Sequence, residues 1–122
     1  MFPQILHVAL GGAIGAALRY AMSTALARPG FPVAVLSANV IGSFLMGVVA
    51  FWLVQRGLTT WQPFVAAGVL GGFTTFSAFS LEAYVLWERG EGAQAALYIA
   101  LSVVLSLVAL ALGVWIARSW LA

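Results

Sequence analysis

The sequence has 122 residues, of which 64% are hydrophobic and only 7% are charged, with five arginines, three glutamates and a formal net charge of +2. Soluble domains carry about 25% charged residues, so these few charges exclude a water-soluble globule and, being dispersed, leave no basic patch for nucleic acid. With no cysteine and a single histidine, the chain also lacks the residues of a disulfide framework, a metal cluster or a hydrolytic enzyme.

Four long apolar runs predict four transmembrane helices, since a spanning helix needs about 20 mostly apolar residues. The breaks between the runs hold most of the charges and turn-forming residues, and tryptophans fall near the predicted ends, where indole prefers the membrane interface. We expect residues 1–122 to form one all-α domain that crosses the inner (plasma) membrane repeatedly. The predicted runs are residues 5–27, 33–53, 64–87 and 93–117.

Small residues recur at four-residue spacing in the first two runs. Gly11 and Gly15 form one such pair, Gly12 lies beside them, and Ser43 and Gly47 form another pair. Small side chains let membrane helices approach closely. The pattern is compatible with an interface between subunits and equally with packing inside one subunit.

The charges predict no single orientation in the membrane. Arg56 and Arg118 lie on the side of both termini, whereas Arg19, Arg28 and Arg89 lie toward the other side. Arginine favours the cytoplasmic side of short loops, so the two sides nearly cancel. Because a four-helix subunit has little room to surround a hydrated path, we expect an antiparallel, dual-topology homodimer with its pore at the subunit interface.

Asn39 places a side-chain amide inside the otherwise apolar second run. A polar group at this depth needs a partner. The partner is either another helix, in which case Asn39 fixes packing, or an anion that accepts a hydrogen bond from the amide.

The third run contains a segment poorly suited to an uninterrupted helix. Residues 68–80 read GVLGGFTTFSAFS, in which paired glycines and β-branched threonines both weaken a helix. We therefore expect a break. Non-helical backbone survives in a bilayer only where it is buried or lines a cavity, so broken spans often mark ion sites. The alternative is a kinked packing helix whose hydroxyls bond to the preceding turn.

Hydroxyl groups recur every four residues in the fourth run. Tyr98, Ser102 and Ser106 therefore lie along one helical stripe, and each offers a donor. Such a stripe can replace water around a partly dehydrated anion. Serines in membrane helices also bond to their own backbone, and the spacing does not separate these alternatives.

Residues 71–80 (GGFTTFSAFS), with residues 11–20 (GGAIGAALRY) and 39–44 (NVIGSF), resemble the signatures of the Fluc (CrcB) family of fluoride channels. The resemblance covers essentially the whole chain in the same order. It departs at Ala78, where the family commonly has threonine or serine. It implies a fluoride-selective channel that exports cytoplasmic fluoride passively, built as an antiparallel homodimer with paired fluoride pathways and a central structural sodium ion.

The same resemblance implies roles for individual residues. Phe76 and Phe79 match the phenylalanines that flank the ion path, and aromatic rings have positive edges that can contact a small anion. Asn39 matches an asparagine beside that path. The backbone carbonyls of Gly71 and Thr74 match those that hold sodium, and carbonyl oxygens suit a hard cation.

The remaining implied roles concern the ends and the walls of the path. Arg19 would lie in a vestibule and Glu82 on the pathway, although Arg19 can also extend to lipid headgroups and Glu82 can be a solvated end residue. The hydroxyl-bearing pathway residues implied by the resemblance are Tyr98, Ser102 and Ser106, with Thr75 and Ser80 as weaker candidates.

Two other classes of membrane protein fit four short spans. A proton-coupled multidrug transporter needs an acid within the membrane, but most of the first run has none and Glu82 lies late in the third. A non-transporting scaffold would need small residues for helix packing, but it would require neither a broken span nor aligned hydrogen-bond donors.

Overall fold

The structure, a computed structural model, describes residues 2–26 and 31–120. Ala27, the predicted end of the first run, and Arg28, used in the charge count, lie outside the described residues. All regular elements in the described part are helical: α1 (Phe2–Ala25), α2 (Val33–Gln55), a 3-10 turn (Thr59–Trp61), a π-helix (Pro63–Leu70), α3 (Gly71–Phe73), α4 (Phe76–Glu88) and α5 (Gly92–Trp120).

These elements give 4 helices long and apolar enough to cross a membrane, so the predicted all-helical, four-span architecture is confirmed. The third span begins earlier than predicted because the connection after α2 contains a helical turn. The fourth runs on to Trp120, past the predicted end at residue 117. In order, the spans are Pro3–Ala25, Val33–Gln55, Thr59–Glu88 and Gly92–Trp120.

Glycines bring α1 into backbone contact with the first half of the third span. A Cβ atom at Gly11 would meet the Phe64 carbonyl and lie 2.9 Å from Gly68 Cα, and one at Gly15 would meet the Val69 carbonyl. Both glycines are buried. Of the two uses that the small-residue spacing allowed, the structure therefore shows packing within the subunit for Gly11 and Gly15.

A second close contact joins α2 to α5. A Cβ atom at Gly47 would meet the Leu110 carbonyl, and one at Gly113 would meet the Phe44 carbonyl. The two backbones therefore cross with no side chain between them. This contact fixes α5, with its stripe of hydroxyls, beside α2.

Gly11→Ala is expected to destabilise the subunit by about 1–3 kcal/mol, the usual penalty for inserting a methyl group into a packed contact. Gly12→Ala is the matched control, because a Cβ atom there meets nothing within 4 Å and alanine is the better helix former. Thermal unfolding of the purified variants in detergent compares them. Equal midpoints for Gly11→Ala and Gly12→Ala would contradict the close contact between α1 and the third span.

The third span is interrupted at Thr74 and Thr75. Thr74 has φ −85° and ψ 155°, and Thr75 has φ −151° and ψ 127°, both in the extended region. The bend expected within residues 68–80 is thereby confirmed. It separates α3 from α4 and releases backbone groups that a continuous helix would pair.

The π-helix before the break was not predicted. Its backbone hydrogen bonds reach one residue further than those of an α-helix, so each residue turns through a smaller angle. Phe64, Gly68 and Val69 can consequently lie together against Gly11. Composition carries no signal for this wider turn.

Candidate functional site

Asn39 bonds to the break through both ends of its side-chain amide. The Thr75 N–H donates to Asn39 Oδ1 at 2.8 Å, and Asn39 Nδ2 donates to the Thr75 carbonyl at 3.0 Å. The interhelical partner that the sequence allowed for Asn39 is therefore present. A primary amide carries two hydrogens, so one hydrogen of Nδ2 is left over from this pair.

Other side chains bind backbone groups at and beside the break. The Ala78 N–H donates to the Thr75 hydroxyl at 3.0 Å, which caps α4. The Thr74 hydroxyl donates to the Leu70 carbonyl at 3.1 Å. From α1, Arg19 Nε donates to the Gly72 carbonyl at 3.3 Å, so this half-buried arginine contacts the break directly.

The carbonyls of Gly71 and Thr74 lose the donors that a continuous helix would give them. Those donors are the N–H groups of Thr75 and Ala78, which bond instead to Asn39 and to the Thr75 hydroxyl. Carbonyl oxygens freed in this way are suitable ligands for a hard cation inside a membrane. The residues expected to hold sodium therefore fit that ion chemically.

A groove of about 370 Å³ opens beside the break, between α2, α4 and α5. It brings together most of the residues predicted for an ion path. They come from three elements that are distant in the sequence, and the α2–α5 crossing holds two of these elements side by side. The predicted residues in its wall are Asn39, Thr74, Thr75, Phe76, Phe79, Ser102 and Ser106.

The two phenylalanines take different positions in this wall. Phe76 is 77% exposed, whereas Phe79 is only 9% exposed. Their ring centroids are 5.3 Å apart with an interplanar angle of 49°, and Phe79 lies at the same distance from the Tyr98 ring. Phe79 is thus fixed in the core, while Phe76 projects from the subunit at the edge of the groove.

Two buried hydroxyls behind and along the groove have no hydrogen-bond partner among the described residues. Ser102 is 6% exposed and Tyr98 is 0% exposed. Ser102 therefore does not bond to its own helix, which was the alternative for a membrane serine. An unpaired buried hydroxyl costs about 1–3 kcal/mol, and these two lie on successive turns of α5, so each would gain from pairing with the other, with a water molecule or with a ligand.

Some predicted residues lie away from the groove. Ser80 is exposed and its hydroxyl donates to the Phe76 carbonyl at 2.9 Å, so this hydroxyl bonds to its own helix. Glu82 is half-buried on α4 and is not part of the groove wall. Arg19 reaches the break from the α1 side, and Tyr98 lies behind Phe79.

Gly42 is a residue of the site that sequence reasoning did not single out. It lines the groove on α2, and a Cβ atom there would meet the Thr74 methyl group and lie 3.2 Å from the Phe73 ring. The missing side chain therefore makes room for the break. Its position three residues after Asn39 was the available signal.

The family model described as CrcB-like protein, Camphor Resistance (CrcB) matches residues 6–114. Several similar proteins bear the name fluoride-specific ion channel FluC. The protein from Roseobacter denitrificans is 56% identical over 120 residues, covering 94% of this chain and 95% of that protein. The one from Ruegeria sp. is 57% identical over 122 residues, covering 97% of each.

More distant matches extend over the same length. The protein of that name from Caulobacter vibrioides is 45% identical over 121 residues, covering 94% of this chain and 95% of that protein. Each of these three matches covers 94% or more of this chain. The chain belongs to the CrcB family.

Proposed function

We propose that this chain is the subunit of a fluoride-selective channel that lets cytoplasmic fluoride leave the cell passively across the inner membrane. The observation that carries the proposal is the groove beside the break, where Asn39, Phe76, Phe79 and Ser102 come together. The choice of fluoride is supported by the relatives named fluoride-specific ion channels.

The groove offers an anion several weak partners. No formal charge is carried by the described residues that line it. Phenylalanine edges, the second amide hydrogen of Asn39 and the Ser102 hydroxyl each present a partial positive charge. Conduction requires binding weak enough for release, so partial charges suit a channel better than an arginine in the wall.

The proposed channel is an antiparallel homodimer. In the single subunit the groove is open and the Phe76 ring is 77% exposed beside polar groups of the break. Irregular backbone facing lipid is strongly disfavoured, so a second copy is the natural cover. The near balance of arginines across the membrane supports insertion in both orientations.

A structural sodium ion is the cofactor that we propose for this dimer. The carbonyls of Gly71 and Thr74 would hold it, since their helical donors bond elsewhere. The carbonyls of one subunit alone are too few to coordinate such an ion. We therefore propose that two copies share the site. The bound ion would supply a positive charge that links the two breaks.

Purified protein in liposomes is expected to release trapped fluoride and to retain trapped chloride, when a potassium ionophore balances the charge. A fluoride electrode and a chloride electrode measure the two rates. Repeating the measurement with and without an imposed proton gradient separates passive conduction, which continues without the gradient, from proton-coupled exchange.

The same experiment distinguishes the two rival functions. Retention of both anions would indicate a non-transporting membrane scaffold. Such a scaffold would give no reason for a buried Ser102 hydroxyl that has no hydrogen-bond partner among the described residues. Uptake of a cationic dye driven by protons would indicate a multidrug transporter. That outcome would need an acid at the transport site, and Glu82 lies outside the groove wall.

A further inference from the structure

An aromatic ring from the connection before α2 reaches the buried end of the hydroxyl stripe. Phe31 is half-buried and packs against the core cluster that contains Phe79 and Tyr98. Its ring centroid lies 5.6 Å from that of Tyr98, and the two rings are nearly perpendicular at 87°. Tyr98 also contacts Phe79, so its ring is held by two aromatic neighbours.

Tyr98 depends on such contacts for its orientation. Its side chain is completely buried, yet its hydroxyl has no hydrogen-bond partner within the described chain. A buried hydroxyl lowers its free energy by rotating toward any available hydrogen-bond acceptor or toward water. The Tyr98 side chain is therefore kept in place largely by packing in this cluster, which includes the rings of Phe31 and Phe79.

The position of Phe31 places this contact at one end of the proposed path. Phe31 precedes the second span, Val33–Gln55, and Tyr98 lies near the start of the fourth, Gly92–Trp120. These two helix beginnings share one side of the membrane. From there the stripe continues along α5 to Ser102 and Ser106, both of which line the groove.

We propose that Phe31 is a positioning residue for fluoride permeation. Its edge-to-face contact holds the Tyr98 ring against Phe79, and Phe79 lines the groove through which the anion would pass. This inference rests on the proposed channel function. Phe31 itself does not touch the anion, since it acts through the Tyr98 ring.

Phe31→Leu is the test, because leucine keeps an apolar side chain and removes the ring. We expect fluoride efflux to fall roughly tenfold, the upper range for loss of one aromatic pair. Phe31→Trp, which restores a ring, should recover most of the rate. Phe64→Leu is the control, since the Phe64 ring contacts Trp61 outside the groove.

A second measurement follows the Tyr98 side chain directly. The chain has 3 tyrosines, so fluorotyrosine labelling gives few fluorine resonances, and Tyr98→Phe identifies the one of interest. In the unaltered protein this resonance should shift on addition of fluoride and not of chloride. In Phe31→Leu it should broaden or split, and the shift should be lost.

The outcomes separate this inference from the proposed function. If the unaltered protein passes no fluoride, the proposed function fails. If the unaltered protein conducts fluoride, two results for Phe31→Leu would show that the positioning role is wrong. One is conduction equal to that of the unaltered protein, and the other is loss of conduction with an unchanged Tyr98 resonance. Size-exclusion elution at the position of the unaltered protein establishes that a variant is folded. If Phe31→Leu fails this check, Phe31→Met is measured in its place.

Discussion

Replacing Asn39 with leucine is expected to reduce fluoride efflux by about a hundredfold or more. Asparagine and leucine are similar in size, but leucine cannot make the two hydrogen bonds to Thr75. The N–H and the carbonyl of Thr75 are then left unpaired. Each unpaired, partly buried group costs about 1–3 kcal/mol, so two of them cost about 2–6 kcal/mol, a range that includes the roughly 2.7 kcal/mol of a hundredfold change. The initial rate of fluoride release from proteoliposomes measures the effect.

Gln55→Leu is the matched control for Asn39→Leu. It removes the same amide group from the same helix, at an exposed position at the end of α2, and should leave efflux unchanged. Hydrogen exchange supplies an independent measurement, because the Thr75 amide should exchange faster only in Asn39→Leu. Unchanged efflux with faster exchange would mean that the geometry of the break is not needed for conduction.

The sequence predicted the four spans closely because nearly every residue of a spanning helix must be apolar. Hydrophobicity and span length therefore located α2 and α5 within a few residues. The break was predictable for a related reason, since the paired glycines and threonines of residues 71–75 weaken a helix without help from neighbouring elements. Local composition sufficed for these features.

The details of the site depended on contacts that composition does not encode. The Asn39 amide had two plausible partners, and only the packing of α2 against the break places it opposite Thr75. The spacing of Ser102 was visible, but whether its hydroxyl bonds to its own helix is decided by its rotamer and burial. The π-helix lies in close contact with α1 but left no mark in the composition, and Phe31 was overlooked because it lies outside the apolar runs.

Phe76→Ile is expected to lower fluoride efflux at least tenfold without weakening the subunit. The Phe76 ring is 77% exposed in the single chain, so its removal opens no cavity in the core. Isoleucine keeps an apolar side chain but has no quadrupole, so the groove wall loses the positive edge of the Phe76 ring. Efflux rates and size-exclusion elution, measured on the same preparation, separate conduction from assembly.

Phe64→Ile provides the comparison, because it makes the same substitution in the same span, in the π-helix away from the groove. Equal efflux from Phe76→Ile and Phe64→Ile would remove the Phe76 ring edge from the path. Stabilisation of the anion would then fall to the second amide hydrogen of Asn39 and the Ser102 hydroxyl. Ser102→Ala should in that case reduce efflux more than Phe76→Ile, because the Ser102 hydroxyl is buried in the groove wall and has no hydrogen-bond partner in the described part of the chain.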